Sequence, residues 1–286
     1  MTLVHLFPGQ GAHRQGMGRE LFPRYPHLVR RADTLLGYSI EELCLNAPAD
    51  KLTDTRYTQC SLYVVGALGY LDLVRESGEV PDYVAGHSLG EFVALFAAGA
   101  YDFLTGLELV RHRAEAMAKA GPGAMAAVIG LTEDAVRDVL AAHPEVDIAN
   151  HNAPTQIVVS GSEEAVGAAR HTLAAHAEAV IPLKVSGAFH SRHMAAAAEE
   201  FGRVLRRHRL APLRIPVVAN TTARPHLDAA LAHELQRQLT APVRWTDTVR
   251  FLLDLPEPDL REVGPGQVLT TLVDKIRDAA PVGAER

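Results

Sequence analysis

The chain has 286 residues, of which 48% are hydrophobic and 22% are charged, and its formal net charge is -6. This balance is typical of a globular protein with a large core, and its acidic sign disfavours a nucleic-acid-binding protein. The first residues lack the basic and long apolar segments of a signal peptide, and no apolar run is long enough to span a bilayer. We therefore expect a cytoplasmic protein that binds neither nucleic acid nor membrane.

Along the chain, short apolar runs alternate with longer amphipathic stretches, a pattern typical of α/β proteins. Residues 3–7 predict a strand that ends at a Pro-Gly-Gln-Gly turn, and residues 83–86 predict a second strand. A helix over residues 89–98 follows the second strand directly. Further strands are predicted at residues 215–219 and 260–263.

The order of predicted strands and helices changes near residue 124. Strands are predicted at residues 124–130, 146–149, 156–160 and 179–183, with one helix after the first strand and another after the third. The order strand, helix, strand, strand, helix, strand is that of a ferredoxin-like unit. We therefore predict a large subdomain formed by residues 1–123 and 187–286, with a small subdomain inserted at residues 124–186. The cleft between the two subdomains is the expected site.

The sequence GHSLG at residues 86–90 has the G-x-S-x-G pattern of a nucleophile elbow, in which a sharp strand-to-helix turn exposes the serine. Glycines suit this turn because neighbouring backbone comes too close for side chains. The amide of Leu89 and the helix N-terminus would face negative charge on a carbonyl attacked by Ser88. The alternative is a glycine-rich turn whose serine only caps the helix. Glu91 is interpreted as stabilising the first helical turn through the helix dipole.

A serine nucleophile needs a general base, and the chain offers 14 histidines. His87 adjoins Ser88, but successive residues at such a turn point in different directions, so His87 is a poor candidate. His190 is better placed, because it lies where the predicted small subdomain returns to the large one. The residues alone leave this choice open.

Four motifs in order along the chain, FPGQG, GHSLGE, GAFHS and EVGPG, closely resemble those of the malonyl-CoA:acyl carrier protein transacylase family. That family includes an enzyme of fatty-acid synthesis and the acyltransferases of polyketide synthases. The resemblance extends from Phe7 to about Ile276. It implies an α/β-hydrolase-like large subdomain with a parallel sheet and an inserted ferredoxin-like small subdomain, in agreement with the predicted order of elements.

The resemblance implies a catalytic role for each of five matching residues. Ser88 would be the nucleophile, and His190 would be the general base and acid. No carboxylate completes a triad in this family, and the backbone carbonyl of Gln238 would orient the imidazole instead. The amides of Gln10 and Leu89 would form the oxyanion hole.

Three further residues are implied to contact or support the substrate. Arg113 matches the family arginine that holds the malonyl carboxylate, and a guanidinium suits this task because it binds carboxylates bidentately and keeps its charge when desolvated. Phe189, which precedes the histidine, is typical of members that select malonyl over methylmalonyl. Asn152 matches a position near the active site and would support the substrate or the loop.

The implied activity is that of a malonyl-CoA:acyl carrier protein S-malonyltransferase that acts through a malonyl ester on Ser88. Malonyl-CoA is the donor substrate, an acyl carrier protein is the partner, and no metal or other cofactor is expected. We expect a monomer that acts in trans. Residues 192–194, which follow GAFHS, resemble those of discrete polyketide acyltransferases and therefore favour polyketide synthesis. The alternatives are a fatty-acid malonyl transacylase, an acyl hydrolase that uses the same serine and histidine, or a non-catalytic docking subunit.

Overall fold

The computed structural model describes residues 1–279, so the last residues of the predicted large subdomain lie outside the described part. The strands are β1 (Thr2–Phe7), β2 (Tyr83–Gly86), β3 (Ala124–Ile129), β4 (Asp147–Ala153), β5 (Gln156–Gly161), β6 (Ala179–Pro182), β7 (Val217–Val218) and β8 (Pro258–Glu262). The α-helices are α1 (Pro26–Leu36), α2 (Ile40–Asn46), α3 (Ala49–Thr53), α4 (Thr55–Ser77), α5 (Gly90–Ala97), α6 (Phe103–Lys119), α7 (Glu133–Leu140), α8 (Glu163–Ala174), α9 (Ala195–Leu205), α10 (Leu231–Arg237), α11 (Trp245–Leu253) and α12 (Val268–Asp278). Within residues 1–279, no helix combines the length and apolar character needed to cross a bilayer.

The large subdomain is built on a sheet of order β7-β2-β1-β8 in which every strand pair is parallel. Side chains of β1 alternate between the two faces of this sheet. Phe7 packs in the core that α4, α5 and α6 cover, whereas Val4 and Leu6 pack in the core that α11 and α12 cover. A parallel sheet buried between two layers of helices is the doubly covered arrangement of α/β proteins, and it confirms the predicted fold class.

Three strands of this sheet differ in length from their prediction, and β1 does so by a single added residue at its start. The strand predicted at residues 215–219 is reduced to β7, because Pro216 has no amide hydrogen and the amide of Ala219 bonds the carbonyl of Arg224 in a turn at 2.9 Å. Strand β8 begins two residues earlier than predicted. Its first two residues pair with Thr2 and Leu3 of β1, so the neighbouring strand extends it.

The small subdomain is a second sheet, of order β4-β5-β3-β6, in which every strand pair is antiparallel. Helices α7 and α8 pack on it, with Val136 and Val166 buried against Val128 of β3. The elements follow the order β3-α7-β4-β5-α8-β6, and all of them lie within residues 124–186. This is the ferredoxin-like topology expected from the sequence.

Strand β4 ties the small subdomain to the large one. The sequence predicted its end at residue 149, but the strand continues to Ala153 through shifts of register against β5. The amide of His151 donates to the carbonyl of Val243 at 2.9 Å, and the amide of Val243 donates to the carbonyl of Ala149 at 2.9 Å. A segment of the large subdomain therefore supplies the backbone partners that the polar end of β4 needs, and the two subdomains meet at this edge.

Candidate active site

The turn between β2 and α5 holds Ser88 in a strained backbone conformation. Ser88 has a φ of 51°, in the left-handed region that residues with side chains rarely adopt. A Cβ atom on Gly90 would lie 1.9 Å from the carbonyl oxygen of Phe7, and one on Gly86 would lie 2.0 Å from the backbone of Gly90. Both glycines are therefore required by the close approach of β1, β2 and α5, as the elbow motif predicted.

Gly90→Ala should lower the free energy of unfolding by about 3 kcal/mol or more, because the new methyl group overlaps backbone atoms that cannot move aside. Gly167 is the matched control, since a Cβ atom there has no atom within 4 Å in the described structure. Gly167→Ala in α8 should instead stabilise the protein by about 0.5–1 kcal/mol. Chemical denaturation of both variants tests the pair, and equal stability of the two would contradict the steric argument.

Ser88 and His190 form a hydrogen-bonded pair across the cleft. Ser88 Oγ lies 2.7 Å from His190 Nε2, and His190 Nδ1 lies 2.8 Å from the carbonyl oxygen of Gln238. Because a carbonyl can only accept, Nδ1 carries the hydrogen and Nε2 presents a lone pair to the serine hydroxyl. The structure thus brings together the serine, the histidine and the orienting carbonyl that the sequence singled out.

The surroundings of His190 keep its imidazole neutral. Its side chain is buried, with 3% of the residue exposed. Burial first, and the nearby Arg113 guanidinium second, lower the pKa of His190 to about 3. A buried imidazole in this field is uncharged at neutral pH, and it can accept a proton from Ser88.

Arg113 of α6 is enclosed beside this pair. The residue is 1% exposed, and its guanidinium donates from Nη1 to Gln59 Oε1 at 2.5 Å. Its Nη2 donates to Gln238 Oε1 at 3.0 Å and to Ser88 Oγ at 3.1 Å. Burial lowers the pKa of Arg113 to about 10, which still leaves the guanidinium charged at neutral pH. A buried cation so close to the serine can bind a carboxylate on an acyl group attached there.

A small cavity joins these groups. It has a volume of about 90 Å³ and is lined by Gln10, Ser88, Leu89, Arg113, Phe189 and His190, among others. Its size suits an acyl group of a few heavy atoms. An open cleft of about 680 Å³ shares the lining residue Val185 with this cavity.

The two amides predicted to form an oxyanion hole lie at this cavity. Gly9 passes so close to the elbow that a Cβ atom on it would lie 2.2 Å from the carbonyl oxygen of His87 and 3.6 Å from the amide nitrogen of Leu89. The chain at Gln10 therefore approaches the amide of Leu89. Within residues 1–279 neither amide has a hydrogen-bond partner, so both can donate to a ligand.

The remaining predicted residues have distinct placements. Phe189 is buried and lines the cavity. Asn152 does not line it; its Oδ1 lies 2.8 Å from Nε2 of His87, so it supports the residue that precedes the nucleophile. Asn150, two positions earlier on β4, lines the cavity instead. The imidazole of His87 thus contacts Asn152 of the small subdomain and Trp245 of the large one.

Sequence reasoning missed a group of polar residues behind the elbow. Glu91 is 2% exposed, and it accepts hydrogen bonds from His226 Nε2 at 2.6 Å, from the Asn220 amide at 3.3 Å and from Gln238 Nε2. The interpretation of Glu91 through the helix dipole alone is therefore incomplete. One signal was available, because α5 is apolar on every side and a carboxylate on such a helix must be buried and paired.

Comparison with known proteins gives matches over nearly the whole chain. The acyl transferase domain matches residues 4–278. BaeC of Bacillus velezensis, a polyketide biosynthesis malonyl CoA-acyl carrier protein transacylase, is 46% identical over 96% of this chain and 97% of its own. A malonyl CoA-acyl carrier protein transacylase structure from Burkholderia pseudomallei superposes with a TM-score of 0.95 at 43% identity, over 99% of this chain and 100% of its own.

A further solved structure contains a carrier protein. It is a malonyl-transacylase in complex with a type II PKS acyl-carrier protein, and it superposes with a TM-score of 0.93 at 34% identity. The match covers 97% of this chain and 94% of that chain. The similarity thus includes both subdomains and the cleft between them.

Proposed function

The chain belongs to the acyl transferase domain family, and from this premise we propose that it is a malonyl-CoA:acyl carrier protein S-malonyltransferase. The observation that carries the proposal is the position of Arg113, whose Nη2 lies 3.1 Å from Ser88 Oγ inside a cavity of about 90 Å³. A buried guanidinium beside the nucleophile favours an acyl group that ends in a carboxylate. The names of the relatives at 46% and 43% identity support malonyl as that group.

The first half of the reaction loads the enzyme. Ser88 Oγ attacks the thioester carbonyl of malonyl-CoA while His190 Nε2, 2.7 Å away, takes the hydroxyl proton. The amides of Gln10 and Leu89 stabilise the oxyanion of the tetrahedral intermediate. The carbon–sulfur bond then breaks, His190 returns the proton to the thiolate, and coenzyme A leaves. The malonyl group remains as an ester on Ser88.

The second half reverses these steps with a different thiol. The phosphopantetheine thiol of a carrier protein gives its proton to His190 and attacks the ester carbonyl. The carbon–oxygen bond breaks, and Ser88 recovers its proton from His190. Every proton moves between the thiol, the serine and the imidazole, so the proposed cycle uses no metal and no redox cofactor.

Arg113 also explains how one site can hold its acyl group through both halves. Gln59 and Gln238 fix the guanidinium at 2.5 Å and 3.0 Å. A carboxylate bound to it would keep the ester carbonyl in a constant place while coenzyme A departs and the carrier thiol arrives. Asn152 supports this arrangement from outside the cavity by holding His87.

Brief exposure to malonyl-CoA followed by intact-protein mass spectrometry tests the proposal. We expect the mass of one malonyl group on the wild-type chain, none on Ser88→Ala, and transfer of the group when a phosphopantetheinylated carrier protein is added. Release of free malonate without carrier acylation would indicate the acyl hydrolase instead. The absence of any adduct would indicate the docking subunit.

We further propose that the enzyme serves polyketide synthesis, acting in trans in the cytoplasm as a monomer. The support is that BaeC is a polyketide biosynthesis protein and that the complexed relative holds a type II PKS carrier. Transfer rates to a polyketide carrier and to a fatty-acid carrier decide between the two pathways. A clear preference for the fatty-acid carrier would make the alternative correct. Size-exclusion chromatography with light scattering checks the monomer.

Phe189→Ser should raise the ratio of methylmalonyl to malonyl loading by about 10-fold, because the ring occupies space that an extra methyl group needs. The measurement is kcat/KM for loading from each coenzyme A ester. Phe251→Ser is the control, since this partly buried ring packs against Tyr83 and lies outside the cavity lining. An unchanged ratio in Phe189→Ser would remove this residue from substrate selection.

A further inference from the structure

A buried hydrogen-bonded pair lies behind the nucleophile elbow, outside the lining of the cavity. The side chains of Glu91 and His226 are 2% and 1% exposed, and His226 Nε2 lies 2.6 Å from Glu91 Oε1. Removing two polar groups from water has a large desolvation cost, so such a pair is weak evidence for stability by itself. The other groups to which Glu91 is hydrogen-bonded therefore indicate the role of the pair better than its contribution to stability does.

The first group that Glu91 holds is the side chain of Gln238. Gln238 Nε2 donates to Glu91 Oε2 and to the carbonyl oxygen of Ser88 at 3.0 Å. A carboxylate can only accept, so it fixes which end of the amide faces it. Gln238 Oε1 is thereby turned to Arg113 Nη2, at 3.0 Å. In the reverse orientation, an amide nitrogen would face a guanidinium nitrogen, with both groups donors.

The same residue also orients the base. The backbone oxygen of Gln238 accepts from His190 Nδ1 at 2.8 Å. Gln238 therefore contacts the nucleophile, the base and the guanidinium at once. Gln238 is 1% exposed, and Glu91 supplies the carboxylate among the acceptors of its side-chain amide nitrogen.

The second group that Glu91 holds is Asn220. The backbone amide of Asn220 donates to Glu91 Oε1 at 3.3 Å. The side-chain oxygen of Asn220 accepts from the backbone amide of Ser88 at 2.7 Å. Its side-chain nitrogen donates to the carbonyl of Gly86 at 2.6 Å. These hydrogen bonds hold the backbone at Gly86 and at Ser88, and they help to keep Ser88 at its positive φ.

We propose that Glu91 and His226 are positioning residues for malonyl recognition: Glu91, held by His226, fixes the amide of Gln238 and thereby aims Arg113 at the substrate carboxylate. This inference rests on the proposed malonyl transfer. It predicts that disturbing the pair harms a substrate with a carboxylate more than one without it. Acetyl-CoA is the matched substrate, because it shares the thioester and lacks the carboxylate.

Glu91→Gln is the main test, because it keeps the size of the side chain and removes one acceptor. The new amide has a single acceptor oxygen: if its nitrogen faces Gln238 Nε2, two donors oppose each other, and if its nitrogen faces His226, the imidazole must adopt the other tautomer. We expect KM for malonyl-CoA to rise and the malonyl-to-acetyl ratio of kcat/KM to fall by about 10-fold. A general loss of folded protein would lower both rates and leave the ratio unchanged.

Variants of His226 test the positioning role independently if Glu91→Gln does not fold. His226→Phe removes the donor and should lower the same ratio, whereas His226→Gln keeps a donor and should restore most of it. Glu133→Gln is the control, since Glu133 pairs with His151 at 2.7 Å and touches none of these groups. That variant should keep the wild-type ratio.

The outcomes separate the two proposals. If the wild-type chain forms no malonyl adduct on Ser88, the proposed function itself is wrong. If the adduct forms and folded Glu91→Gln and His226→Phe both keep the wild-type ratio, only the positioning role is overturned.

Discussion

Arg113→Ala should lower kcat/KM for malonyl-CoA by about 100- to 1,000-fold, because truncation removes the charged partner of the substrate carboxylate in a buried site. Loading from acetyl-CoA, which has no carboxylate, should fall far less. The enzyme would thus lose its preference for malonyl while keeping its nucleophile and base. Rates of Ser88 acylation from the two esters, measured by rapid quench, give the ratio.

The matched control for this change is two residues away on the same helix. Arg111 pairs with Glu115 at 3.1 Å on the outer side of α6. Arg111→Ala removes the same charge from the chain but lies outside the cavity lining. It should leave both loading rates close to those of the wild type. If the ratio of Ser88 acylation rates from malonyl-CoA and acetyl-CoA were unchanged in Arg113→Ala, the guanidinium would not bind the substrate carboxylate.

His190→Ala should lower kcat for malonyl transfer by about 100- to 10,000-fold, which is the range expected for loss of a positioned general base. Substrate binding should change little, because Arg113 keeps its two glutamine partners. His171→Ala, on the exposed face of α8, removes a histidine without touching the site and is the control. A variant lacking His190 that still acylates Ser88 at the wild-type rate would exclude this histidine as the base.

The pH dependence of loading should also reflect the surroundings of His190. Its pKa is lowered to about 3 by burial and by Arg113, so the neutral base persists well below the ordinary histidine pKa. In the wild type, kcat/KM should therefore stay level from neutral pH down to about pH 5. Because a nearby cation disfavours the imidazolium, Arg113→Ala should raise this pKa and move the acid limb upward. An acid limb near pH 6.5 in the wild type would contradict this account.

Much of the architecture follows from local sequence patterns. Each predicted strand exists, because alternating or continuous apolar runs bounded by glycine and proline have few other ways to be buried. The elbow could be located because its glycines are demanded by backbone contacts that any side chain would prevent. Resemblance to a family, rather than spacing, singled out His190, Arg113 and the carbonyl of Gln238.

The sequence by itself determined where each predicted strand lies, the two-subdomain order and the turn that carries Ser88, since these depend on residues near one another along the chain. Only the tertiary structure decided the hydrogen-bond network of Glu91, whose partners Asn220, His226 and Gln238 lie 129, 135 and 147 positions away. It also decided the length of β4, which Val243 extends. A buried carboxylate needs donors, but the chain does not state locally which distant residues supply them.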